Sequence, residues 1–179
     1  MNDIKELFPE LEYIEDKELR EKVVLVWSEA LKLGKWKKDD LKGIPFTLLI
    51  SNVPINLVEH TRMVTQICYK VGKELCKQWG KWISISIDYL IAGALLHDVG
   101  KLLEYSTSKE GKIQKSSLGS LIRHPLSGAM LAFKAGVPWE VVHLISAHSE
   151  EGKMVSRLPE AIILTHADFT TFEIFKKGG

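Results

Sequence analysis

The chain has 179 residues, 45% hydrophobic and 26% charged, with a formal net charge of +1. That length favours one domain with a real core, and the balanced charge excludes a global field for nucleic acid or anionic lipid. No apolar run reaches a membrane span, and the opening MNDIKELFPELEYIEDKELREK contains no apolar leader core.

The predicted elements are mostly helical. Asp16 is placed to cap a helix carrying Leu19, Val23, Val26, Trp27, Ala30 and Leu31 at three-four spacing, with Gly34 at its end. Residues 35–54 are ambiguous, and 46–50 read as either a buried helical turn or a short extended piece. Asn56, Leu57, Val58 and Glu59 have the form of a capping box. They open a helix through Val64, Ile67, Cys68, Val71 and Leu75 to near Gly80. Cys68 and Cys76 would lie about 12 Å apart on that helix, too far for a disulfide. Two reduced thiols suit a cytoplasmic location.

Asp88 is expected to cap the next helix, whose residues 90–96 are apolar all round, as in a central buried helix. It should stop at Gly100 or shortly after. The polar stretch 106–117, with Glu110 and Gly111 as a turn signal, reads as a loop or a small hairpin. Pro125 opens a helix ending at Gly136, Pro138 opens one carrying Val141, Val142, Leu144, Ile145 and His148, and Pro159 opens the last, with Ala161, Ile162, Leu164, Ala167 and Asp168. Strand evidence is thin and there are no repeats. The expected fold class is all-α, a single-domain helical bundle.

The adjacent His97 and Asp98 close the apolar run 90–96, and a buried carboxylate without a partner is costly. His60, His124, His148 and Asp168 fall on four other segments, mostly near helix ends. Facing helices build metal sites in this way, and imidazole nitrogen with carboxylate oxygen suits zinc, manganese and iron. One carboxylate can bridge two ions, so the four histidines and two aspartates could hold two metals.

The stretches VEHTRMV, AGALLHDVGK, IRHPLSGA, ISAHS and THADF, in that order, resemble those of the HD-domain superfamily of metal-dependent phosphohydrolases. The order H…HD…H…H…D resembles its two-metal subset. The resemblance covers about residues 56–170, and the expected division is an HD domain over 56–176 with residues 1–55 as an N-terminal helical extension packed on the core. It implies one or two divalent ions (Fe, Mn, Zn, Co, Ni or Mg). One would be held by His60, His97, Asp98 and Asp168, the other by Asp98, His124 and His148, with a bridging water or hydroxide as nucleophile. Lys101 matches the lysine of the HD-x-G-K pattern and would meet charge developing on a phosphoryl group. The implied substrate is a small phosphoester or phosphoanhydride, a nucleotide first. The ligand spacings resemble those of bacterial HD hydrolases that split dinucleoside tetraphosphates, and no GYP stretch of the cyclic-dinucleotide phosphodiesterases is present.

Two other classes share the pattern: mixed-valent diiron HD oxygenases and non-catalytic HD sensors. In the oxygenases the last Asp lies further from the second His than Asp168 does from His148. A sensor would more often have lost ligands. Arg123, beside a ligand, and Lys109, Lys112 and Lys115 are candidate phosphate contacts. For the three lysines a solvated surface is the stronger reading. His143, His166 and Arg62 lie on other helix faces and read as structural. Trp27 fits a core stripe, whereas Trp36, Trp79, Trp82 and Trp139 fit packing or a homodimer contact. No nucleic-acid or membrane partner is expected.

Overall fold

A ten-residue helix without a polar face organises the chain. The computed structural model describes residues 2–177, as helices α1 (Asn2–Leu7), α2 (Lys17–Gly34), α3 (Leu57–Trp79), α4 (Ile87–Leu96), α5 (Lys101–Glu104), α6 (His124–Lys134), α7 (Trp139–Ala147) and α8 (Pro159–Lys177). One antiparallel hairpin, β1 (Tyr105–Thr107) and β2 (Ile113–Lys115), pairs Tyr105 with Lys115. The expected all-α class holds. Every residue of α4 from Leu90 to Leu96 is buried, because α2, α3, α7 and α8 surround it. Gly93 lets α7 come close: a Cβ there would meet Leu144 Cδ2 at 2.5 Å.

Asp16 caps α2 through the amides of Glu18 and Leu19, and Asn56 with Glu59 closes the capping box of α3. One sequence expectation needs correction. Ser86, not Asp88, caps α4, by accepting from the Tyr89 amide. Asp88 instead accepts from the amides of Glu15 and Asp16, each at 2.9 Å, and so moors the entry to α2. Val71 is 40% exposed and lies outside the core. α2 ends at Gly34 as expected, and the left-handed residue after it is Lys35, at φ 60°. Gly34 is also needed for proximity, since a Cβ there would meet the Leu102 carbonyl oxygen at 2.1 Å.

The ambiguous 35–54 segment is a 3₁₀ turn (Lys38–Gly43) followed by irregular chain of bends and a turn, neither a helical turn nor a strand, in which Pro45 bridges to Asn56. The 106–117 stretch is the hairpin, turned by Gly111 at φ 79°. The chain before α3 is part of the core. Trp27 is fully buried, packs at a tilt against Phe8 with ring centres 4.7 Å apart, and donates to the Leu95 carbonyl at 3.0 Å. Trp36 donates to Leu102 at 2.7 Å. Trp79, Trp82 and Trp139 are exposed. Among the described residues no helix is long and apolar enough to cross a membrane.

The Trp27 bond reaches the last turn of α4, where helix carbonyls run out of intrahelical partners. Trp27→Phe keeps most of the packing and leaves that carbonyl unmet in a dry interior. Chemical denaturation should show a loss of about 1–3 kcal/mol with an unchanged denaturant slope.

Candidate metal centre

Helix ends deliver most of the candidate ligands. His97 and His148 each follow the last residue of a helix, α4 and α7, in helical geometry. Each imidazole turns back and donates from Nδ1 to the carbonyl three residues earlier, His97 to Ala94 and His148 to Ile145, both at 2.7 Å. This satisfies a terminal carbonyl and fixes the tautomer. His124 opens α6 and donates Nδ1–H to Glu104 Oε2 at 2.7 Å. His60, in the first turn of α3, places Nδ1 3.3 Å from the hydroxyl of Thr171, whose own proton goes to the Asp168 carbonyl. In all four rings Nδ1 is engaged, so Nε2 is the free end.

The four Nε2 atoms converge on Asp98. Its Oδ2 faces His60 at 3.4 Å and His97 at 3.3 Å. Its Oδ1 faces His124 at 3.3 Å and His148 at 3.9 Å. Asp168 Oδ1 lies 3.1 Å from His60 Nε2. Two groups, each within 4.8 Å, could therefore hold an ion: His60, His97 and Asp168, and Asp98, His124 and His148. The donor set suits a divalent metal. His148 Nε2 supports that fit, because it is buried, points at Asp98 and has no hydrogen-bond partner. A lone pair left bare in the interior is destabilising.

The six residues named from sequence are thus brought together. Lys101 is not the solvated lysine of a helix end. It is buried at the start of α5, donates to Asp98 Oδ2 at 2.6 Å and also to the Phe46 carbonyl. Phe46 stacks on the His60 ring, centres 4.5 Å apart, so the segment before α3 reaches into the centre. Arg123 stands at the rim, paired with Glu151 at 2.9 Å. Lys115 lines the cleft above, while Lys109 and Lys112 lie away from it. His143 accepts from the Leu158 amide at 3.3 Å, His166 is exposed, and Arg62 pairs with buried Glu10, all apart from the centre. Sequence reasoning missed Glu104, Phe46 and Thr171. Glu104 and Thr171 each follow a named residue, Lys101 and Asp168, by one helical turn, and that spacing is the available signal.

Electrostatics follow from the crowding. Burial opposes charge on Asp98, yet Lys101 and His97 hold its carboxyl well below the usual range. Asp168 is likewise resisted by burial but held at about 2 by the His60 hydrogen bond and His97. His97 is raised by Asp98 against its burial. Burial, with His97 beside it, pushes His148 down to about 3.

An HD domain family model matches residues 57–171, and the chain belongs to the HD domain family. It is 31% identical over 166 residues to the dihydroneopterin 2′,3′-cyclic phosphate phosphodiesterase of Methanocaldococcus jannaschii. The match takes in 88% of this chain and 64% of that protein, so the chain spans under two thirds of that relative's length. No solved structure gives a significant match.

His148 makes the metal-stripped protein acid-labile. An unfolded imidazole takes up its proton near pH 6.5, while the buried ring stays neutral to about pH 3. Its contribution is therefore whole above pH 6.5 and is lost as pH falls toward 3, at about 1.4 kcal/mol per pH unit. In chelator, wild type should lose stability between pH 6.5 and 4 more steeply than His148→Asn. Parallel curves would contradict the burial argument.

Proposed function

We propose that this chain is a metal-dependent phosphohydrolase acting on a small phosphoester. The observation that carries the reading is the two-sided Asp98 carboxylate, with a histidine pair on each oxygen and a buried ammonium against it. In this reading His60, His97, Asp98 and Asp168 hold one ion, and Asp98, His124 and His148 hold a second. Divalent ions held there supply Lewis acidity toward water and toward a phosphoryl oxygen. The chain's own residues do the rest. Lys101, fixed by Phe46 and Asp98, presents a positive charge at the cleft floor where phosphoryl charge develops. Arg123 and Lys115 add positive charge at the rim.

The cleft over Asp98 measures about 620 Å³, the size of a small-molecule site. Asp168, Phe169, Phe172, Glu173 and Lys176 form one face of α8 along it, and Leu48 and Leu49 line it as well. Phe172 lies one turn beyond Asp168, about 6 Å along the helix axis. A phosphate at the floor would therefore set a flat ring against Phe169 and Phe172. A nucleotide and a pterin bearing a cyclic phosphodiester both have that shape, and the relative from Methanocaldococcus jannaschii is named for the second. The ring-lined wall supports such a substrate over a bare phosphate or a polymer.

The test is anaerobic turnover by the manganese- or cobalt-loaded protein. The panel contains dihydroneopterin 2′,3′-cyclic phosphate, 2′,3′-cyclic nucleotides and dinucleoside tetraphosphates. Ring opening to a phosphomonoester, or release of a phosphorylated fragment, is expected without oxygen. No turnover across the panel, with oxygen uptake by the iron-loaded form, would replace the hydrolase by an oxygenase.

Two variants separate chemistry from binding. Lys101→Ala should lower kcat on the order of 100-fold at unchanged metal content. Phe172→Ala should raise KM while leaving kcat nearly intact, the mark of lost uniform binding. Asp98→Asn should weaken metal retention and activity together.

A further inference from the structure

Among the four converging histidines, His124 is held differently. The rings of His97 and His148 lean on backbone carbonyls and that of His60 on a hydroxyl. His124 leans on a carboxylate. Glu104 Oε2 accepts from both the His124 amide and its Nδ1–H, each at 2.7 Å. Glu104 is mostly buried, and α5 is a single turn, so Lys101 and Glu104 lie on one face. That turn sends a cation to Asp98 and an anion to His124.

The backbone of Glu104 is braced in turn. Its carbonyl accepts from the Ser116 amide at 2.8 Å. Gly119 packs so close that a Cβ there would stand 2.3 Å from the same oxygen. On the other side, a Cβ at Gly100 would meet the His124 carbonyl oxygen at 2.2 Å. The Glu104–His124 pair is clamped from both ends by contacts that leave no room for a side chain.

We infer that Glu104 is a positioning residue whose negative charge, acting through His124, sets the affinity of the ion held by Asp98, His124 and His148, and so whether the centre holds one ion or two. This rests on the two-ion reading. A carboxylate on the far nitrogen fixes the imidazole tautomer and strengthens Nε2 as a donor, and losing such a partner typically weakens metal binding about 10–100-fold. The ion held by His60, His97 and Asp168 has no ligand leaning on a carboxylate in this way, so it should change little. The two positions would then fill in order as divalent metal rises.

The experiment is manganese titration followed by calorimetry and by the paramagnetic resonance signal of spin-coupled pairs. Glu104→Gln keeps an acceptor for both hydrogen bonds and removes the charge. It should bind the first ion normally and the second about 10–100-fold more weakly, with the coupled-pair signal displaced to higher manganese and the melting temperature of the chelated protein unchanged. Glu104→Gln in a His124→Ala background should add no further loss, because the residue acts only through that ring. Equal second-ion affinity in wild type and Glu104→Gln overturns the inference while leaving the two-ion site intact. A wild type that takes up one ion at all concentrations overturns both.

Discussion

Asp98 is a carboxylate in a place where a bare carboxylate cannot stay. It lies at the floor of a cleft, behind a helix that is apolar on every side. Ionised in such surroundings it needs opposite charge or strong donors on both oxygens. Lys101 meets one oxygen directly, and the imidazoles meet the rest only through nitrogens that face the carboxylate and one another. Four rings and a second carboxylate crowd around that one acid, a donor set that suits a divalent ion. The surrounding architecture can be read as the means of holding that arrangement: α4 as an anchor, α5 as a clamp, and two helix ends that aim their rings.

Helix termini do this work for a physical reason. A helix interior fixes side-chain direction by its pitch, so only residues three or four apart share a face. A residue just past the last turn is freer, and its ring can satisfy an orphan carbonyl while pointing outward. His97 and His148 do the same thing at the ends of α4 and α7. Their similar geometry makes the centre a meeting of helix ends more than a seam between helix faces. Asp168 is the exception, lying within α8, and it is also the more accessible of the two carboxylates.

Much of this was legible in the sequence, and the limits are instructive. The caps Asp16 and Asn56 were readable because the side chain and the amides it bonds are neighbours along the chain. Asp88 was misread because its partners lie more than 70 residues away, at Glu15 and Asp16. Local pattern cannot see a loop that arrives from elsewhere. The six converging residues, Asp98 and Asp168 among them, were readable as an ordered motif. The roles of Glu104, Phe46 and Thr171 were not, since each acts by contact with a ring brought in from another segment. Lys101 shows both sides: its presence was read, but its burial was settled by the chain before α3 folding over it.

The bridge between Pro45 and Asn56 has a further bearing. It pins both ends of the stretch that carries Leu48 and Leu49 across the cleft mouth, immediately beside Phe46 and the first turn of α3. Between those pins the chain can lengthen or change with little cost in closure entropy, because neither the ring against His60 nor the start of the helix need move. Variation in this stretch can therefore reshape the mouth while the floor stays as it is. The side chains that converge at the floor and the stretch that crosses the mouth thus lie on separately adjustable parts of the chain.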